Sequence, residues 1–256
     1  MSGEILKTEK LFKTFSVGDR RVSAVKEVSL FVGENEVVGL VGESGCGKST
    51  LARLITRLDT PDSGEITLCG QDIASCAGRE LRRACRNMKM IFQEPRSSFD
   101  PRLTLGASIR ETLKMTEKMS AAGYRAESER LLRQVGLGKG YDLMKPTDVS
   151  GGECQRAAIA RAIAGKPKLL ICDEATSALD VSIQAQILEL LSQIQKDMGM
   201  SVLFISHDLA LVSSFCERTY VMCGGEIVEQ GETAQIINAP ENDYTKTLLA
   251  SVLPVK

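Results

Sequence analysis

The chain has 256 residues, 43% of them hydrophobic, which is enough for one large domain or for a core carrying a substantial insertion. Its 32 basic and 33 acidic residues leave a net charge of -1, which argues against the broad positive field of a nucleic-acid binder. No apolar stretch approaches the ~18 residues of a membrane span and the first ten residues hold no apolar leader, so any work at a membrane is done from outside the bilayer. The eight cysteines (Cys46, Cys69, Cys76, Cys85, Cys154, Cys172, Cys216, Cys223) are scattered without a C-x-x-C pair and read as reduced thiols of a cytosolic protein.

From Ile5 to about Phe31 the alternation predicts short strands around the polar turn Val17-Gly18-Asp19-Arg20. Phe15 lies here. Its ring either stacks on a nucleotide base or fills the core, as Phe12 would.

The apolar run Val37–Val41 leads into Gly42-Glu43-Ser44-Gly45-Cys46-Gly47-Lys48-Ser49-Thr50, and a helical pattern continues through Leu51, Leu54 and Ile55. Strand, glycine-rich loop and helix in that order make a phosphate-binding P-loop. Glycines let backbone N–H groups turn inward around a polyphosphate where a Cβ would block the approach. Lys48 supplies a compact positive charge for the β/γ oxygens, and the Ser49 hydroxyl is placed for Mg²⁺. The helix starting here adds its positive end.

Thr60–Gly64 reads as a turn and Glu65–Leu68 as a strand. Lys89–Phe92 is a short apolar strand ending at Gln93, which from a strand end could reach Mg²⁺ or an attacking water. From about Leu103 to Gly165 the pattern is helical, with Ile109, Leu113 and Met115, then Leu131, Leu132 and Val135, among charges. This predicts a helical subdomain inserted into an α/β core. Inside it, Val149-Ser150-Gly151-Gly152-Glu153 opens an alanine-rich helix. Ser150 is either part of an anion-binding turn or an ordinary N-cap, and local sequence does not separate the two.

Leu169–Glu174 is apolar on both faces and ends in two acids, as a central parallel strand does. Ligands of open α/β sheets sit at the carboxyl ends of strands, so both acids should face a nucleotide. Asp173 fits a metal carboxylate, and Glu174 a base or a group that positions the hydrolytic water. Ser177-Ala178-Leu179-Asp180 precedes a helix with Ile183, Ile187, Leu190, Leu191 and Ile194 on one face. The buried strand Val202–Ser206 delivers His207, the only histidine, to the same edge. A hairpin over 220–228 and a helical segment from Tyr244 to about Val252 close the chain.

Together these stretches resemble the ATP-binding cassette (ABC) ATPases: Gly42–Thr50 as Walker A, Gln93 as Q-loop, Val149–Glu153 as signature, Leu169–Glu174 as Walker B, Ser177–Asp180 as D-loop and His207 as switch. Phe15 sits where that family has its adenine-stacking aromatic. The resemblance implies a P-loop NTPase core (1–93 and 166–230) with an N-terminal antiparallel β subdomain, a helical subdomain (94–165) and a tail (231–256). It implies ATP and Mg²⁺ as ligands, the ion on Ser49, Gln93 and Asp173, with Lys48, Gln93, Glu174 and His207 catalytic. It also implies a second ABC ATPase chain, identical or a sister, whose ATP would meet Ser150, Gly151, Gly152, Glu153 and Asp180 of this chain.

Two integral membrane permease subunits, an extracytoplasmic solute-binding protein acting indirectly, a seat on the cytoplasmic face of the membrane and no nucleic acid complete the expectation. Two positions depart from the family pattern: Val149 stands for Leu, and Glu153 for Gln. A carboxylate at 153 should weaken the partner's phosphate site. Gln93–Arg102 and Asn238–Leu249 resemble the di/oligopeptide and nickel importer branch, and the short tail leans toward nickel or metallophores. No cysteine follows Cys223, so no iron–sulfur cluster is expected.

Overall fold

The alternating N-terminal segment forms one long hairpin, β1 (Glu4–Val17) and β2 (Arg20–Gly33), instead of several short strands. Lys10 and Glu27 sit in register shifts at φ 47° and 48°, so each interruption is absorbed as a bulge and the strands run on. The computed structural model describes residues 3–18, 20–177 and 179–252. Asp19 of the expected turn, Ala178 of the stretch before Asp180 and residues 253–256 of the expected tail lie outside them.

After the hairpin come β3 (Val37–Val41), α1 (Lys48–Ile55), β4 (Ser63–Leu68), β5 (Gln71–Asp72), α2 (Gly78–Ala84) and β6 (Met88–Ile91). Three helices follow: α3 (Leu105–Thr116), α4 (Ala121–Gln134) and α5 (Gly151–Ile163). The chain then returns through β7 (Leu169–Asp173), α6 (Val181–Met198), β8 (Ser201–Ser206) and α7 (Leu209–Phe215). It ends in β9 (Arg218–Cys223), β10 (Glu226–Glu232), α8 (Thr233–Asn238) and α9 (Asp243–Val252). The tail therefore carries two helices where one was expected.

Two sheets result. The antiparallel sheet has the order β2-β1-β4-β5, and the larger one β10-β9-β3-β8-β7-β6. In the larger sheet β9, β3, β8, β7 and β6 run parallel, and β10 turns back along β9. Every residue of β3, β7 and β8 is buried, which is why their sequences read as unbroken apolar runs. Because β3, β8, β7 and β6 are parallel neighbours, their carboxyl ends fall on one edge. Gly42, His207, Asp173 with Glu174, and Gln93 all leave from that edge.

The inserted helices share a core with this sheet. Leu105, Ile109 and Leu113 recur every four residues along α3 and pack with Leu131, Leu132, Ala157 and Ile159. Met115 falls off that stripe and is 69% exposed, so it is not part of the apolar set to which the sequence assigned it.

Candidate functional site

The loop between β3 and α1 is shaped by close backbone approach. A Cβ on Gly42 would lie 2.1 Å from the Met222 carbonyl oxygen. A Cβ on Gly47, at φ 111°, would lie 2.2 Å from that of Ala24. Neither contact leaves room for a side chain, so only glycine lets the loop curl this tightly. Gly47 is also the N-cap of α1 and offers no side-chain acceptor. The first N–H groups of α1 therefore lack the side-chain partner that most helices supply, which suits an anion. The phosphate cradle expected at 42–50 fits this geometry.

Lys48 is 3% exposed. Its Nζ donates to the carbonyls of Gly42 (2.7 Å) and Glu43 (2.8 Å). An ammonium has three protons. Two tie the loop into a ring, and the third goes to Cys46 Sγ at 3.7 Å, a weak acceptor that a phosphate oxygen would displace. Beside it, Ser49 Oγ donates to Asp173 Oδ1 at 3.0 Å. Burial pushes the Asp173 carboxyl above its ordinary range, and the Ser49 bond offsets part of that shift. A hydroxyl and a buried carboxylate in contact form a hard-oxygen pair of the kind Mg²⁺ prefers.

Glu174 sits just past β7 at φ 47°, a left-handed conformation costing roughly 1–2 kcal/mol for a residue with a Cβ. Its N–H donates to the Ile205 carbonyl, which fixes the turn. Gln93 Nε2 donates to Glu174 Oε2 at 3.0 Å and reaches Ser177 Oγ at 3.4 Å. His207 Nδ1 lies 3.5 Å from Glu174 Oε1, its ring half exposed. Gln93, Glu174 and His207 are thus one cluster, and Ser49 with Asp173 another. The Gln93 amide is directed at Glu174 and Ser177.

The segment around Ser150 lies apart from this edge. Ser150 caps α5: its Oγ accepts from the Glu153 N–H at 3.3 Å. Glu153 Oε2 in return accepts from the Ser150 N–H and Oγ–H, each at 2.8 Å, and the Tyr141 hydroxyl donates to Oε1. Tyr141 and Ser150 together hold the Glu153 carboxyl below its ordinary range. The N-cap alternative is realised in this arrangement. Ser150, Gly151 and Gly152 line a groove with Asp180, which caps α6 by accepting from the Ile183 N–H at 3.1 Å. No residue of 42–50 lines that groove. Phe15 stands on β1, 37% exposed, with Lys13 Nζ 5.5 Å from its ring centroid. It is not a core residue.

The family described as ABC transporter matches residues 25–177. The chain is 45% identical over 258 aligned positions to the "Probable peptide ABC transporter ATP-binding protein y4tS" of Sinorhizobium fredii, spanning 98% of this chain and 73% of that one. This chain belongs to the ABC transporter ATPases. A second relative of the cassette, the "Oligopeptide transport ATP-binding protein OppF" of Haemophilus influenzae, is 41% identical over 239 positions and spans 93% of this chain and 72% of its own. Among solved structures, the dimeric post-hydrolysis state of the ATP-binding cassette MJ0796 bound to ADP and Pi superposes with a TM-score of 0.81. It is 30% identical and spans 89% of this chain and 98% of that one.

Three residues of the cassette's site escaped the sequence reading. Arg96 Nη2 donates to the Val149 carbonyl at 2.5 Å, tying the segment after Gln93 to the signature stretch. Tyr141 anchors Glu153. Tyr244 reaches the P-loop, its hydroxyl accepting from the Glu43 N–H at 3.0 Å. Only the Glu153 departure could have hinted at a compensating partner such as Tyr141. The other two contacts span 53 and 201 residues and leave no local signature.

Proposed function

We propose that this ABC ATPase is the motor subunit of a peptide importer, with hydrolysis taking place at a head-to-tail interface between two cassettes. One observation carries the chemical half of this reading: four parallel strands bring Lys48, the Ser49–Asp173 pair and the Gln93–Glu174–His207 cluster to one sheet edge beside the loop.

Each residue then has a distinct task. Residues 42–50 cradle the triphosphate, with Lys48 exchanging its weak bond to Cys46 Sγ for one to a β/γ oxygen. Ser49, Asp173 and Gln93 would hold Mg²⁺, which when bound neutralises phosphate charge and polarises the bond to be broken. Glu174 accepts the proton of the attacking water or orients that water, held in place by Gln93. His207, adjacent to Glu174, contacts the γ-phosphate. Phe15, partly exposed on β1, stacks on adenine.

Ser150, Gly151, Gly152 and Asp180 line a groove that includes no residue of their own P-loop, which suits a role on ATP held by the partner cassette. The solved relative named above is itself a dimer. Closure on ATP and opening after hydrolysis would be passed to two permease subunits on the cytoplasmic side, fed by a solute-binding protein across the membrane. Among the described residues no helix is long and apolar enough to cross a membrane, in keeping with a docked subunit. In this reading the core comprises 1–93 and 166–230, the helical subdomain 94–165 and the tail 231–256.

The names of both relatives refer to peptides, so peptides are favoured over nickel as the solute. A Lys48→Ala allele in the source cell tests this. Uptake of labelled di- and tripeptides should fall to background while nickel uptake holds. Loss of nickel uptake with peptide uptake intact would move the solute to the other branch.

A further inference from the structure

The stretch from Asn238 to Leu249 carries a resemblance in the sequence but no chemistry of its own. The structure supplies one. Tyr244 is the second residue of α9, and its phenol is aimed by a set of bonds rather than left to swing. Asn242 Oδ1 accepts from the Tyr244 N–H (2.8 Å), and Asn242 Nδ2 donates to the Val228 carbonyl (3.3 Å). The Glu229 carboxylate accepts from the N–H groups of Glu241 (2.8 Å) and Asn242 (3.2 Å). Thr245, Leu248 and Leu249 are buried behind it. The ring packs half-buried against the main core, and its hydroxyl accepts from the Glu43 N–H at 3.0 Å.

That N–H belongs to the same planar peptide unit as the Gly42 carbonyl. In a trans peptide the two point in opposite directions. A hydroxyl gripping the N–H on one side therefore aims the carbonyl at the other, where Lys48 Nζ meets it at 2.7 Å. One rigid unit is strung between Tyr244 Oη and Lys48 Nζ. The second half of the loop is braced from the turn between β9 and β10, since the Gly225 N–H donates to the Cys46 carbonyl at 3.0 Å.

We propose that Tyr244 is a positioning residue for nucleotide binding: it sets the Gly42–Glu43 peptide plane and, through it, the seat of the Lys48 ammonium, so that the C-terminal helix is thermodynamically linked to the P-loop. This rests on the reading of residues 42–50 as the ATP site. The link is reciprocal, because whatever tightens α9 on β10 tightens ATP, and ATP stabilises the docking of α9.

The test is a double-mutant cycle on the full-length chain, read by MgATP titration and steady-state hydrolysis. Tyr244→Phe keeps the ring and removes only the acceptor. The exchange of one partly exposed hydrogen bond predicts a dissociation constant for MgATP raised about two- to tenfold. Since the bond is present before and during the reaction, KM should rise by the same factor while kcat moves by less than about twofold. Glu43→Pro deletes the N–H itself. In that background Tyr244→Phe should change affinity by less than about 1.5-fold, because the two changes remove one and the same bond.

A merely structural tyrosine would lower Tm and leave KM alone. Affinity in Tyr244→Phe equal to wild type overturns the proposal, as does an undiminished effect in the Glu43→Pro background. Wild-type protein that fails to bind MgATP would instead sink the assignment of residues 42–50.

Discussion

Replacing Glu174 with Gln separates chemistry from structure more cleanly than any other change at this edge. The two side chains have the same shape, and each tolerates φ 47° about equally, so the local backbone strain is unchanged. In the ground state the variant exchanges a charge-assisted hydrogen bond from Gln93 for a neutral one, a difference of about 1 kcal/mol. For a chain of this length that corresponds to a Tm shift of about 2–4 °C. ATP affinity should hold, since Lys48, Ser49 and the loop keep every bond they make. Turnover should not. Removing the acceptor for the water's proton costs about 10²–10⁴ in rate, or about 2.7–5.4 kcal/mol on the barrier. Phosphate release under saturating MgATP, beside nucleotide titration and a thermal scan, measures all three quantities on one preparation. Turnover within about tenfold of wild type would show that Glu174 neither accepts the proton nor places the water.

The trans reading of Ser150 is tested by complementation between Ser150→Ala and Lys48→Ala. Placed on separate protomers of a mixed dimer they leave one intact site and about half the activity, whereas placed together on one protomer they disable both; the reverse pattern would put Ser150 on its own P-loop. Phe15→Ala, at an exposed ring, should leave Tm nearly unchanged and weaken ATP by about 1–3 kcal/mol, roughly 5- to 150-fold, if stacking on adenine is its task; unaltered affinity refutes it. Glu153→Gln should lower Tm by about 1–4 °C at neutral pH, because an amide cannot accept from Tyr141 and Ser150 as a carboxylate does. With its folded-state pKa depressed, the carboxylate contributes fully above its ordinary value of 4.5 and loses that contribution as the pH falls through the depressed one. The gap between variant and wild type should therefore close in acid, and a gap that is constant down to about pH 3 would contradict this.

What was legible in the sequence follows from where each residue's partners lie. The runs Val37–Val41, Leu169–Asp173 and Val202–Ser206 announced themselves because strands buried on both faces have no polar side to interrupt them. The loop at 42–50 was legible because its chemistry is contiguous: glycines, lysine and serine act within nine positions of one another. Elements α2, α7 and α8 were missed, being six or seven residues long and too short to show a helical stripe. The start of α7 is marked by its cap Asp208, which accepts from the N–H groups of Ala210 and Leu211. The full length of β1 and β2 was hidden because the bulges at Lys10 and Glu27 put the alternation out of phase. Tyr244 and Arg96 work across tertiary contacts, and a local pattern carries no information about a partner 201 or 53 residues away.

The Glu153 departure shows how one substitution can act on two equilibria in opposite senses. The expectation was of a bare negative charge facing the partner's phosphate. Instead the carboxylate is folded back onto its own helix start, where Tyr141 and both donors of Ser150 meet it. The Ser150 hydroxyl has a single proton, and at 2.8 Å that proton goes to Glu153. Under the proposed trans role of Ser150, a γ-phosphate presented by a partner would have to take it away, so Glu153 and the phosphate would compete for one hydrogen. An amide oxygen at this position is the weaker competitor. The residue that caps α5 best is therefore the one that releases Ser150 least readily, and Glu153→Gln should trade folding stability for tighter ATP-dependent pairing of cassettes. If Ser150 acts in trans as proposed, competition for its proton, more than repulsion between distant charges, is the route by which this departure would reach the opposite site.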